Sequence, residues 1–298
     1  PNTNNALVRY RDRPAPVDFD NWYGLEDRDH EQVRTTLATA ELAHEFSDQV
    51  RVRNLTRWGE TTRDSIITAP RFASDAGTDI RRTDWKSRDQ TDTILANITD
   101  FTFDFATGTW QHTLLAGAEF SREDQKNHTR DDFGPPSQAT DLYDPDPNDP
   151  YTDNIQRTGG KAKSDADSMA FYLADSVDLN DRWQVNAGLR WDHFDFEFVP
   201  DGGASMRRTD VMWSYRGGVV YKPAPNGSIY AGYGTSFNPG GEGLVFSSSV
   251  NNLGIENLAP EKNRSYELGT KWELMSRRLF VSAAVFRPVR PAWNAGPP

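Results

Sequence analysis

The sequence predicts an all-β chain, part of an antiparallel transmembrane β-barrel with long loops alternating with tight turns. Three observations carry that expectation. Apolar and polar residues alternate with a period of two in about ten stretches, the spacing that puts successive side chains on opposite faces of a strand. The connections between those stretches are alternately short and long. Tryptophan and phenylalanine collect at the ends of stretches rather than at their centres.

Taken in chain order, weaker alternation runs through 32–46, 50–60 and 91–105. From Trp110 to Ser121, Trp110, Leu114, Ala116, Ala118 and Phe120 share a face opposite Gln111, Thr113, Gly117, Glu119 and Ser121, with His112 the one polar residue on the apolar side. After 168–179 comes the clearest case: Trp183, Val185, Ala187, Leu189 and Trp191 oppose Gln184, Asn186, Gly188, Arg190 and Asp192. Val211, Trp213, Tyr215, Val219 and Tyr221 follow, then 228–237, then Tyr266, Leu268, Thr270, Trp272 and Leu274, then 278–287. Each stretch is about ten residues, which matches a strand that crosses a bilayer (~9–11) better than a soluble strand (~5–6).

The connections at 47–49, 106–109, 180–181, 222–227 and 275–277 are short. Those at 61–90, 122–167 and 238–263 are long, and 198–210 is intermediate. Antiparallel hairpins put every second connection at the same end of a sheet. One end therefore carries tight turns and the other long polar loops, the layout of an outer-membrane barrel. Trp110 and Trp183 directly follow short turns, Trp272 precedes one, and Trp191 and Phe237 lie at long-loop ends, where membrane-interface girdles belong.

Composition removes other classes. The chain has 298 residues, 36% of them hydrophobic, and a formal net charge of −11. Its mean hydropathy is −0.76 and its pI about 5.0. An acidic chain without a basic run is a poor partner for nucleic acid, whose binding rests on cationic neutralisation of phosphates. With no cysteine there are no disulfides, thiolate metal sites or thiol nucleophiles. The longest apolar run, near Phe280 to Phe286, is far short of a membrane-spanning helix. Low hydropathy is compatible with a barrel, because half of each strand faces a wet lumen and the loops are polar. Histidines 30, 44, 112, 128 and 193 show no metal-ligand spacing, and no catalytic constellation stands out, so the expectation is a protein that binds rather than catalyses, with no cofactor. The stretch from Asp141 to Pro150 could hold Ca²⁺ through clustered oxygens, or be a proline-stiffened loop.

Three segments resemble the barrel of TonB-dependent siderophore receptors, most closely the catecholate branch. They are Arg88 to Asp100, Asn226 to Pro239, and Asn257 to Trp272. The third is the most specific: Leu258, Pro260 and Glu261, then Glu267, Gly269 and Lys271 entering a strand. Leu189 to Phe194 has similar strand text, and the likeness runs from about 7 to 287. The resemblance implies a barrel of about 22 strands closed by an N-terminal plug. It implies an outer-membrane receptor that binds a ferric siderophore and imports it with energy delivered through TonB, the siderophore being ligand rather than cofactor. Residues 1–287 are expected to be a partial receptor barrel. Residues 288–298 are expected to be a non-barrel tail, since Pro288 and Pro291 donate no ladder hydrogen bond. The plug and its TonB-coupling segment are absent from this sequence, and the chain reads as a fragment.

A ferric catecholate is anionic and aromatic. Arginine offers it charge and a planar fork, and aromatic side chains offer a π-face. By strand parity Arg190 and Arg216 point into the lumen. Loop candidates are Trp85, Tyr143, Tyr151, Arg157 and Phe246, with Arg81, Arg82 and Lys86 nearby. Two alternatives remain open: a soluble secreted β-sandwich that binds carbohydrate, and a passive porin. A sandwich would bury the apolar faces of 110–120 and 183–191 beneath a second sheet, whereas a barrel would leave them outward.

Overall fold

The computed structural model describes residues 9–10, 13–74, 77–239 and 259–289. Its centre is a ten-stranded antiparallel meander in which each long strand pairs with the next in sequence. The strands are β1 (His30–Ser47), β2 (Val50–Thr68), β3 (Trp85–Thr107), β4 (Trp110–Asp132), β5 (Ile155–Asn180), β6 (Trp183–Val199), β7 (Met206–Ala224), β8 (Gly227–Asn238), β9 (Glu261–Leu274) and β10 (Leu279–Val289). Tight turns close one end, at Asp48-Gln49, Gly108-Thr109, Asp181-Arg182, Pro225-Asn226 and Met275 to Arg278. Gly108 takes φ +64° there, the left-handed backbone that a two-residue hairpin turn needs.

The register sorts the faces. Trp191 stands opposite Trp213 on one side and Phe171 on the other, and Phe171 opposite Ala118. This face carries Leu173, Leu189, Val211 and Trp213 at 48 to 56% exposure, so no second layer of described residues covers it. The sandwich alternative is thereby overturned. Aromatic rings border the apolar band. Phe120, Phe171 and Trp191 lie 5.9 to 6.0 Å apart by centroid along its upper edge. Trp183 against Tyr221, at 4.6 Å, marks the lower edge. Eight residues separate Trp183 from Trp191, about 26 Å along a strand, close to the ~25 Å band of an outer-membrane barrel. His112, a polar residue on this face, lies between the Phe105 ring (4.7 Å, parallel) and Asp175 Oδ2 (2.8 Å).

The strands exceed the expected length: 11 to 26 residues, with β5 the longest. Ladder hydrogen bonding continues well above the upper aromatic row, where 122–132 and 155–167 are mostly polar and apolar alternation no longer marks those two strands. The long loops shrink accordingly, to 69–84, 133–154 and 200–205. Trp85, Lys86 and Arg157, expected on loops, are therefore strand residues. At the other edge β10 runs through Pro288, opposite Ser265, to Val289, two residues past the expected limit. Among the described strands β10 pairs only with β9, and proline in a sheet is confined to such edge positions, strand starts or bulges. Residues 290–298 lie outside the described residues.

The long-loop end carries its own small core. Segments 15–29, 69–84 and 133–154 close around Tyr23, Ile80 and Leu142, all fully buried, with Val17 and Phe72 packed against them. Three short strands, 71–72, 79–81 and 140–141, pair across the segments. Burial pushes the Tyr23 hydroxyl above its ordinary range, and it donates to the Leu142 carbonyl at 2.7 Å.

Candidate functional site

The face opposite the apolar band is the lumen wall. Strand parity placed Arg190 and Arg216 there, and the register agrees: Arg190 faces Ser214 and Tyr172 across the ladder, and Arg216 faces Gly188 and Gly234. Their surroundings differ. Arg190 donates from Nη1 to Glu119 Oε2 at 2.9 Å and from Nε to Asp192 Oδ1 at 2.8 Å. Its guanidinium also lies 5.5 Å from the centroid of Tyr172, whose hydroxyl donates to Asp100. That network closes on itself. Arg216, by contrast, has no ion pair or side-chain hydrogen bond with any described residue. Both arginines line one hollow of about 300 Å³, with Leu115, Ser214 and Thr235.

Beyond Arg216 the wall opens into a hollow of about 610 Å³ that reaches Tyr230, Glu267 and Lys271. Here the Glu-x-Gly-x-Lys segment gains a physical reading. Tyr230 Oη donates to Glu267 Oε1 at 2.6 Å, and Lys271 Nζ sits 5.4 Å from the Tyr230 centroid. A Cβ on Gly269 would stand 2.4 Å from the same ring. Three residues two apart on β9 therefore hold one tyrosine of β8 flat against the sheet. Glu261 pairs with Asn238 at the top of the same strand pair, next to Pro260. Leu258 and Phe246 lie outside the described residues.

The loop candidates separate into engaged and open groups. Arg82, expected on an exposed loop, is wholly buried: Nε donates to the Tyr23 carbonyl at 3.1 Å, and the other nitrogens reach Asp149 and the Asp146 carbonyl. Arg157 grips Asp89 through two bonds, at 2.6 and 2.7 Å, and Arg130 holds the same carboxylate at 2.9 Å. Trp85 opens β3 opposite Thr68, and Lys86 lies opposite Ile67. Arg81 is half exposed beside Asp84 at 3.1 Å. Tyr143 and Tyr151 are exposed, at 49 and 37%. In the 141–150 stretch the carboxylates serve the loop. Asp141 accepts from the Tyr143 and Asp144 amides, Asp146 from Asn148, and Asp149 from Arg82. Among the described residues no three acidic or histidine side chains group as for a metal.

Comparison with known proteins decides the family. Residues 1–287 match the family described as TonB dependent receptor-like, beta-barrel. The chain belongs to this receptor family. It is 33% identical to the probable TonB-dependent receptor BfrD of Bordetella pertussis, over 91% of this chain and 39% of that protein. It is 28% identical to the catecholate siderophore receptor Fiu of Escherichia coli K12, over 91% of this chain and 40% of that protein. Among solved structures, the closed form of Fiu superposes with a TM-score of 0.77 at 26% identity, covering 91% of this chain and 42% of that one. The siderophore receptor PiuA of Acinetobacter baumannii superposes with a TM-score of 0.79 at 25% identity, covering 92% and 42%. The chain thus spans about two fifths of the length of the relatives it matches.

As a TonB-dependent receptor barrel the chain resides in the outer membrane, with tight turns at one side of the bilayer and the interlocked loop layer at the other. The family also gives meaning to residues that sequence reasoning passed over. Phe194, Phe196 and Phe198 alternate onto the lumen face beside Ala162 and Met206, with Phe196 and Phe198 buried. The signal was present: aromatic parity switches from outward at Trp191 to inward at Phe194, where the strand leaves the apolar band.

Proposed function

We propose that this chain forms part of the wall and outer loop layer of a receptor that binds and imports ferric siderophores, catecholate type favoured, energised through TonB. The carrying observation is the two-faced sheet. An apolar band between two aromatic rows faces lipid, and a charged, hydrogen-bonded face lines the lumen, in a barrel like that of the catecholate receptor Fiu. The role is binding and transport rather than catalysis. Among the predicted contacts, Arg216, Tyr143 and Tyr151 remain open to an anionic aromatic ligand, and Arg81 is half exposed with Asp84 as its ion-pair partner. Arg190, Arg82 and Arg157 act mainly in holding the wall and loops. The outer-membrane lipid is the partner of the apolar band, and TonB would act through the receptor's plug domain.

Tryptophan fluorescence of the receptor, titrated with a ferric catecholate and with a ferric hydroxamate, tests this. Saturable quenching by the catecholate, stronger than by the hydroxamate, is expected. Quenching by neither removes the siderophore assignment, and quenching by hydroxamate alone removes the catecholate preference.

A further inference from the structure

We propose that the lipid side of β7–β10, just above the upper aromatic row, is a site for the phosphates of the lipopolysaccharide in the outer leaflet. The inference rests on the outer-membrane reading above and names one lipid partner of the barrel. Its basis is a line of rings capped by cations. The register puts Tyr215, Tyr233 and Tyr266 on the same side of the sheet as Trp191 and Trp213. Successive tyrosine centroids are 5.9 and 4.9 Å apart, so the upper aromatic row continues onto β9. Arg264 and Lys262 follow on the same side of β9, two and four residues beyond Tyr266, about 7 and 13 Å along the strand. They lie toward the long-loop end, which in an outer-membrane barrel is the outside.

A cation on the lipid side is costly at the bilayer midplane and favourable at headgroup level, where it meets anions. Lys262 is held at that level. Its Nζ lies 5.1 Å from the Phe237 ring centroid and 5.8 Å from that of Tyr215. The ammonium thus stands over rings of two neighbouring strands on the lipid side, with its stem along them. Arg264 is exposed between Thr235 of β8 and Val289 of β10, so its two ladder neighbours are uncharged. Arg287 adds a cation opposite Tyr266. Among the described residues no aspartate or glutamate stands on the lipid side of β7–β10. The same side of β4 and β5 differs. Arg122 there has Asp124, Asp167 and Asp165 at 3.4, 3.6 and 3.8 Å. Charge above the aromatic row is therefore sorted by sector, matched by carboxylates at β4–β5 and cationic at β9. A phosphate answers the cationic sector: arginine meets two of its oxygens at once, and lysine supplies a point charge. The tyrosine row below gives a sugar or acyl chain an amphipathic surface. Lipopolysaccharide occupies the outer leaflet at this height, and its phosphates sit on a sugar rather than on the flexible stem of a phospholipid.

The test uses the full-length receptor, purified in detergent from the outer membrane. Wild type is compared with the pair Lys262→Gln/Arg264→Gln, the charge-keeping pair Lys262→Arg/Arg264→Lys, and Arg122→Gln. Binding is measured for lipopolysaccharide, for the same lipid stripped of its phosphates, and for phosphatidylglycerol, beside thermal stability before lipid is added. Wild type is expected to prefer the phosphorylated lipopolysaccharide. The glutamine pair should lose about thirtyfold in affinity for it, since each cation near an anionic surface contributes about fivefold. Its affinity for the stripped lipid and its lipid-free stability should be unchanged. The charge-keeping pair should retain most of the affinity, and Arg122→Gln should match wild type. Wild-type affinity in the glutamine pair would overturn the site, as would wild-type binding indifferent to the phosphates. Equal affinity for phosphatidylglycerol would overturn the choice of lipopolysaccharide. A glutamine pair less stable without lipid, yet with its preference for phosphate intact, would also overturn the site, since the cations would then serve the fold. Receptor recovered outside the outer membrane on cell fractionation would overturn the receptor reading itself, whereas outer-membrane receptor without affinity for lipopolysaccharide would overturn the site alone.

Discussion

The Tyr230 hydroxyl donates to Glu267 at 2.6 Å, and around that bond the Glu-x-Gly-x-Lys segment becomes a cradle for one ring. Gly269 leaves space beneath it and Lys271 lies above it. The ring covers backbone that glycine would leave bare, a recurrent device in sheets. Tyr230→Ala should therefore lower the thermal midpoint in detergent more than Tyr230→Phe, which removes only the hydroxyl. Equal effects would mean that the Glu267 bond, not ring cover, is the important contact.

Arg28 and Arg82 lock the outer loop layer. Arg28 donates to the Arg82 carbonyl at 2.9 Å and pairs with Asp153, while Arg82 ties the Tyr23 carbonyl to Asp149. Arg82→Met should loosen this layer by ~3 kcal/mol, because it breaks a buried ion pair and leaves carbonyls without donors. Hydrogen exchange should quicken at 71–81 and 140–149 while the β4–β6 ladder stays protected. Uniform protection across the loops would show that Arg82 is dispensable there.

On the lipid face, Asn54 and Asn97 form a closed polar unit. Asn54 Nδ2 donates to Asn97 Oδ1 at 3.1 Å and to Thr99 at 2.7 Å; Asn97 Nδ2 returns bonds to Asn54 Oδ1 at 3.2 Å and to Thr56 at 2.7 Å. Removing one amide strands the other in an apolar setting, at a cost of ~1–3 kcal/mol, whereas removing both leaves little unpaired. Asn54→Leu and Asn97→Leu should each destabilise the barrel, and the double variant should be closer to wild type than either. Additive losses in the double-mutant cycle would contradict a closed unit.

Asp141 gives the outer loops a pH dependence. The Tyr143 amide at 2.7 Å, the Asp144 amide at 3.1 Å and the Thr78 hydroxyl hold its carboxyl below the ordinary carboxylate range. A lowered folded-state value contributes stability above the unfolded pKa of ~3.9, and that contribution is lost as pH falls through the folded value. The 141–144 turn should therefore persist at neutral pH and loosen below about pH 4. The amide resonances of Tyr143 and Asp144 should titrate together in that range, and Asp141→Asn should abolish the titration. Amides indifferent to both changes would show that the carboxylate does not organise the turn.

The sequence by itself determined what depends on local order. Period-two alternation assigned Leu189 and Trp191 to one face and Arg190 to the other, and Gly108 and Asn226 marked tight turns, because both signals reside in neighbouring residues. The same rule failed to bound the strands. Above the upper aromatic row the strands leave the apolar band, so 122–132 and 155–167 carry no apolar alternation although their ladder continues. Tertiary structure alone decided which cations are occupied. Arg82 finds Asp149 and Arg157 finds Asp89 across 67 and 68 residues of chain, and Arg190 finds Glu119 across 71. No local pattern announces such partners. Register between distant strands and the closure of three loops on one small core select them, and the same selection leaves Arg216 open.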